Sequence, residues 1–204
     1  MIIWLVLSAI IGYFLGSANS SLIVGKFYGV DIRKHGSGNA GTTNTLRTLG
    51  KKAALFALTG DMLKGVLAYL IGFYISGSAL GGMIGGTAAI LGHVWPVYFG
   101  FKGGKGVLTS LAVLLMIDWS IALMLFGVFI IIVLPTRYVS LGSVIGAAFF
   151  PILLIIFGRN TETIIFSAFI AALIIFMHRT NLQRLLKGTE SKFSFKKREE
   201  NKGN

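Results

Sequence analysis

"IIWLVLSAIIGYFLGSANSSLIV", residues Ile2–Val24, is uncharged and predominantly apolar, and it is long enough to cross a bilayer. It decides the fold because it fixes the context of the next motif. A few residues on, "HGSGNAGTTN" (His35–Asn44) sets Gly36, Gly38 and Gly41 in the pattern G-x-G-x-x-G. That pattern marks a dinucleotide-binding turn only where a strand precedes it and a helix comes after, inside a soluble βαβ unit. Here a membrane span precedes it, so the dinucleotide reading fails. What remains is a glycine-rich loop of hydroxyl and amide side chains with Arg33, Lys34 and Arg47 around it, suited to hold an anion at a membrane face.

The rest of the chain agrees with the first segment. Its 204 residues are 54% hydrophobic and 13% charged, with a mean hydropathy of +0.79, outside the balance of a soluble domain. The apolar runs are long and do not alternate with period two, which predicts a helical bundle and not a barrel. The 27 glycines suit closely packed membrane helices. With no cysteine, disulfides, thiolate metal sites and cysteine nucleophiles are excluded. No basic n-region or small-residue cleavage site stands before Gly25, so the first segment is expected to be a retained helix.

Apolar segments run over residues 2–24, 53–76, 79–99, 107–134, 139–158 and 162–178. The fourth is too long for one span and holds Asp118 inside it, so two helices turning at "IDWS" are expected. Charge placement supports the split. Lys26, Arg33, Lys34, Arg47, Lys51 and Lys52 lie in one loop, Lys102 and Lys105 in another, and a basic tail begins at Arg179. The positive-inside rule puts all three in the cytoplasm only if the fourth segment is split. The expectation is an all-α integral membrane protein, a seven-transmembrane-helix bundle with its N-terminus outside and its C-terminus cytoplasmic. One domain is expected over 1–188, with a basic, disordered tail over 189–204.

On that topology four polar clusters fall on one face: "KHGSGNAGTTNTLRT", "GHVWPVYFGFKGGKG", "TRYVS" and "HRTNLQRL". The second is no P-loop, because Gly106 follows Lys105 where Ser or Thr is required. Its glycines could still turn backbone N–H groups toward a phosphate, with Lys102 and Lys105 adding charge. In the first, Ser37, Asn39, Thr42, Thr43 and Asn44 supply donors and acceptors, and Arg47 can contact a phosphate through two nitrogens. In the fourth, His178, Arg179 and Asn181 leave an apolar helix together, joining a titratable imidazole to a guanidinium and an amide. Each cluster alone also fits a bland reading: a polar turn, a flexible loop with topology-setting lysines, or the capping of a last turn. His93, three residues before Pro96, reads as a packing or loop-fixing residue. Asp61 and Lys64 share a helix face and read as a mutual brace. Three scattered histidines and no carboxylate cluster make a metal site unexpected.

Together, "SGNAGTTN" with Arg47, "GHVWPVYFGFKGGKG" and "HRTNLQRLLKGTE" resemble the three signature motifs of the bacterial acyl-phosphate:glycerol-3-phosphate acyltransferase family, PlsY. The resemblance extends over essentially residues 1 to 190. It implies transfer of a fatty acyl group from acyl phosphate to the sn-1 hydroxyl of glycerol 3-phosphate, giving lysophosphatidic acid and phosphate, with no cofactor. By the same resemblance Ser37, Arg47, Lys105, His178 and Asn181 are the catalytic residues. The substrate-binding set is Gly38, Asn39, Thr43, Asn44, Lys102, Gly103, Gly104, Gly106 and Arg179, and Glu190 is structural.

Two phosphate-bearing substrates ask for two neighbouring anion sites, which the glycine-rich loops with Arg47, Lys105 and Arg179 supply. Direct transfer without an acyl-enzyme is expected, with either His178 or the acyl phosphate's own oxygens taking the proton. Ala40, Tyr98 and Gln183 stand five residues after the three histidines, so the H-x-x-x-x-D signature of acyl-CoA and acyl-carrier-protein acyltransferases is absent. The expected partners are the two substrates, the lipid bilayer of the bacterial cytoplasmic membrane and other enzymes of phospholipid synthesis, with no nucleic acid. A transporter of an organic phosphate is the alternative. Its site would lie near the bilayer midplane between repeats, and neither a repeat nor a midplane cluster is evident.

Overall fold

The computed structural model describes residues 1–193. Its helices are Ile2–Ser17 (α1), Ser20–Phe27 (α2), Thr42–Leu49 (α3), Lys51–Ser76 (α4), Ala79–Val94 (α5), Val107–Ile117 (α6), Trp119–Thr136 (α7), Val139–Ile156 (α8), Thr161–Met177 (α9) and Arg179–Leu186 (α10), with single 3-10 turns at Ile32–Lys34 and Val97–Phe99. Among the described residues five stretches are long and apolar enough to cross a membrane: Ile2–Phe27, Lys51–Ser76, Ala79–Phe99, Trp119–Thr136 and Val139–Ile156. The pair α9 and α10, bent by 55° at His178, makes a sixth.

The first apolar segment is not one helix over Ile2–Val24. It breaks at Ala18–Asn19, where the Asn19 side chain accepts from the Leu22 N–H (3.0 Å) and starts α2 anew. An asparagine competes for backbone hydrogen bonds and is favoured as a cap, so an apolar average does not protect the helix there. The split expected in the fourth segment is present. Asp118 ends α6 and caps α7, its carboxylate accepting from the N–H groups of Ser120 (3.1 Å) and Ile121 (3.2 Å). Helix α6 has only 11 residues, or roughly 16 Å at ~1.5 Å per residue, about half the hydrocarbon thickness.

Two packing regimes build the bundle. Helices α1, α4 and α5 meet backbone to backbone: a Cβ on Gly12 or Gly16 of α1 would collide with the α5 backbone at Gly85 or Ala89, and one on Gly72 of α4 with Gly81. In a bilayer, close approach of this kind supplies the dispersion energy that holds helices together. Helices α6 to α9 interlock through large side chains instead, with Val113, Ile121, Phe150, Leu154, Phe166 and Ile170 buried between them.

Hydrogen bonds bring all four polar clusters to one end. Arg33 Nη1 donates to the Phe99 carbonyl (2.9 Å), joining the first to the second. Arg47 Nη2 donates to the Ser191 carbonyl (3.1 Å), and the Phe193 N–H donates to the Arg137 carbonyl (2.6 Å), joining the first and third to the segment after α10. At the other end Arg159 pairs with Asp118 at 2.7 Å, so the α6–α7 and α8–α9 turns meet there.

Candidate active site

The first loop is folded around Asn44. Its Oδ1 accepts from the Ser37 N–H (2.8 Å), and its Nδ2 donates to the carbonyls of Ile32 (2.8 Å) and His35 (3.1 Å). Asn44 is buried on the first turn of α3, one turn before Arg47, so one amide registers Ser37 against the helix that carries the arginine. Gly36 and Gly38 flank Ser37 with φ of +60° and +72°. A side chain is strained in that region, and a Cβ on Gly36 would also strike the Asn44 oxygen. Asn44 was expected to hold substrate. Its amide is instead committed to the loop, because a chain doubling back through left-handed turns leaves carbonyls that need an internal donor.

In the second loop the glycines do a different job from the one expected. The N–H groups of Gly103 and Gly104 donate to the carbonyls of Val94 and His93 (both 3.1 Å), the last carbonyls of α5. They cap a helix C-terminus and are not free to cradle a phosphate, since Pro96 cuts α5 short and its orphan carbonyls must be met. Neither position has space for a side chain: a Cβ on Gly103 would enter the His93 carbonyl, and one on Gly104 would lie between the His93 ring and the Ala40 carbonyl of the first loop. Lys105 follows at once, and Gly106 starts α6.

Lys105 Nζ donates to the side-chain oxygen of Asn181. Asn181 Nδ2 donates to Glu190 Oε1 (2.6 Å), which also receives the Ser140 hydroxyl (2.8 Å), while Arg184 Nε donates to Glu190 Oε2 (2.8 Å). Burial pushes the Lys105 ammonium down to about 8; the Glu190 charge opposes the fall, and Arg184 and Arg47 add to it. His178 lies within electrostatic reach of Lys105 and Glu190. Its Nδ1 is 2.8 Å from the Ile174 carbonyl, which can only accept, so Nδ1 carries the proton and Nε2 the lone pair. Arg47, Lys105, His178 and Asn181 thus share one polar site.

Other expected residues stand apart from that network. Arg179 is exposed, its guanidinium 4.5 Å from the Phe176 ring centre and hydrogen-bonded to the Phe176 carbonyl (3.2 Å). Lys102 is exposed. Asn39 and Thr43 are half-buried near the start of α3. The tail boundary at 189 is corrected: Glu190, Ser191 and Phe193 are bound to Asn181, Arg47 and Arg137, because a carboxylate surrounded by three donors folds back into the site. The rest of the expected tail, 194–204, lies outside the described residues.

The model of a family described as glycerol-3-phosphate acyltransferase matches residues 6–188. The chain belongs to the glycerol-3-phosphate acyltransferase family. A glycerol-3-phosphate acyltransferase of Thermoanaerobacter sp. (strain X514) is 47% identical over 192 residues, covering 94% of this chain and 96% of its own. One of Clostridioides difficile (strain 630) is 46% identical over 198 residues, covering 94% and 97%. The crystal structure of PlsY, an integral membrane glycerol 3-phosphate acyltransferase, superposes in its glycerol 3-phosphate form with a TM-score of 0.88 at 41% identity, over 93% of this chain and 96% of that one. The lysophosphatidic acid form of PlsY gives 0.85 at 40% identity, over 94% and 96%.

This member of the glycerol-3-phosphate acyltransferase family also has site residues that its sequence motifs do not single out. Ser140 and Arg184 complete the Glu190 shell, and His93 abuts Gly104. Ser140 ends "TRYVS" and Arg184 lies inside "HRTNLQRL", so both belong to the polar clusters. Nothing in their spacing names Glu190 as the common partner.

Proposed function

We propose that this glycerol-3-phosphate acyltransferase uses acyl phosphate as donor and transfers the acyl group directly to the sn-1 hydroxyl. The sn-1 oxygen adds to the acyl carbonyl carbon, the bond from that carbon to the phosphate oxygen breaks, and inorganic phosphate leaves. The hydroxyl proton passes to His178 Nε2 or to an oxygen of the phosphate. Arg47 and Lys105 bind the two phosphates, Asn181 orients Lys105, and Ser37 holds substrate at the edge of the first loop. Phosphate is a good leaving group, so orientation and charge stabilisation carry most of the rate.

The observation that carries this reading is the meeting of Arg47, Lys105, His178 and Asn181 in a chain that superposes on PlsY in its glycerol 3-phosphate and lysophosphatidic acid forms. Seven crossings, with α6 as a short one, would place the N-terminus outside and the site at the cytoplasmic face of a bacterial inner membrane. The concentration of Lys and Arg at the site end supports that orientation. Asn39, Thr43, Lys102 and Arg179 line the approach for the anionic substrates, and other enzymes of phospholipid synthesis are the expected neighbours. Incubating detergent-purified protein with labelled glycerol 3-phosphate and either palmitoyl phosphate or palmitoyl-CoA tests the donor. Lysophosphatidic acid from palmitoyl phosphate alone is expected; product from palmitoyl-CoA alone would overturn it.

A further inference from the structure

Below the site, three ionisable side chains meet in the interior. Asp61 and Lys64 of α4 pair at 2.8 Å, and Lys64 Nζ lies 2.9 Å from Nδ1 of His93 in α5. All three residues are buried. The ion pair lies within α4 and His93 ties it to α5, yet the cluster reaches further. Lys64 Nζ donates to the Ala18 carbonyl (3.3 Å), and Asp61 Oδ1 accepts from the Ser20 N–H (3.2 Å), so both charges are satisfied at the α1–α2 break. Asn19, the residue between, donates to the Ala40 carbonyl of the first loop (3.2 Å).

His93 carries the contact to the second loop. Its Nδ1 lies 2.9 Å from Lys64 Nζ and 3.4 Å from Asp61 Oδ1; an ammonium has no lone pair, so the shorter contact sets the neutral imidazole with Nδ1 unprotonated and the proton on Nε2. Nε2 packs against Gly104, beside the Ala40 carbonyl, where Gly104 has no side chain to intervene. The backbone carbonyl of the same histidine receives the Gly104 N–H (3.1 Å). Lys105 is the next residue. Ala40 lies three residues beyond Ser37, so the imidazole packs where the two loops meet on their inner side, while the Arg33–Phe99 bond joins them further out.

We propose that Asp61, Lys64 and His93 form a positioning network that sets the Lys105 loop against the Ser37 loop for acyl transfer. His93 acts through Gly104 and Ala40 and does not touch substrate. The kinetic part of this inference rests on the acyl-phosphate reaction proposed above; the geometric part does not.

The test uses full-length protein in detergent with the variants H93N, which keeps an acceptor where Nδ1 stands, H93Q, which keeps a donor toward Gly104, and the paired neutral change D61N/K64M. Misplacing the loops lowers kcat for H93N by about tenfold while KM for glycerol 3-phosphate stays within about threefold, as expected when orientation and not binding is lost. In a cycle with K105A, H93N costs less than about twofold, because the group it positions is already gone. H93Q recovers part of the loss.

A second readout needs no turnover. The chain has no cysteine, so nitroxides on K34C and K102C report only the two loops, and H93N and D61N/K64M broaden their distance distribution. An unchanged distribution overturns the proposal, as do additive losses in the cycle or variants that lose their cooperative melt altogether, which would make the cluster a brace. A wild type that makes no product from palmitoyl phosphate refutes the donor reading alone, and the label distances still decide the network.

Discussion

Lys105, at the mouth of α6, donates a hydrogen bond to the side chain of Asn181 in α10, and Asn181 passes the contact on to Glu190 (2.6 Å). One carboxylate therefore orients the amide that orients the cation. The second and third sequence motifs are joined by this chain of contacts.

The charge of Lys105 is expected to govern the alkaline limb of activity. Burial brings its ammonium down to about 8, helped by Arg184 and Arg47 and opposed by Glu190. Lysine pairs with phosphate only when protonated, so kcat/KM for the phosphate substrate it holds is high below that pH and falls as pH rises through it. In K105R the guanidinium stays charged throughout, and the limb disappears even though fork geometry lowers the absolute rate. Profiles of kcat/KM for both proteins between roughly pH 6 and 11, a range that brackets the ordinary and the lowered lysine values, check this.

Glu190 is expected to matter for structure and rate together. Burial alone would raise its pKa, but the hydrogen bonds from Arg184, Asn181 and Ser140 outweigh it and hold the carboxylate below its ordinary value. A depressed folded-state pKa contributes stability above the unfolded value and loses it as pH falls through the folded one. Thermal melts should therefore show acid destabilisation below about pH 4.5, weakened in E190Q. E190A, which strands the Asn181 amide and the Arg184 guanidinium, costs about 1–3 kcal/mol and lowers kcat with it.

Asn44 makes three hydrogen bonds to the first loop. N44A leaves the Ile32 and His35 carbonyls without their donor, at a cost of about 1–3 kcal/mol in denaturant unfolding. N44D keeps the acceptor for the Ser37 N–H but sets a charge against two carbonyls, and should be no better. Activity recovered by N44D would show that only the bond to Ser37 counts.

Gly104→Ala separates the two loops by the width of a methyl group. The added Cβ has the His93 ring on one side and the Ala40 carbonyl on the other. A shift of about 1 Å at the reacting groups can cost ~100-fold in rate, so kcat should fall by that order while the helices keep their far-UV circular dichroism. Near-normal turnover would mean the loops give way without consequence.

Much of this molecule could be read along the chain. Hydropathy marked the spanning segments, Asp118 announced its own turn, and the distribution of Lys and Arg gathered four polar clusters at one end. These are local or additive properties: a residue's transfer energy and charge do not depend on which helix it later meets. Arg47 and Lys105 beside glycine-rich turns, and His178 and Asn181 at the end of an apolar helix, could be picked out for the same reason, as chemically capable side chains, though not as neighbours of one another. What tertiary structure alone decided were the pairings. Gly103 and Gly104 spend their N–H groups on α5, Asn44 folds the loop, and residues 190–193 return to the site. Asp61 and Lys64 acquire His93 as a third member. Each of those outcomes depends on how helices cross and which carbonyls they leave unpaired, and a distance between residues far apart in the chain exists only once the helices have packed.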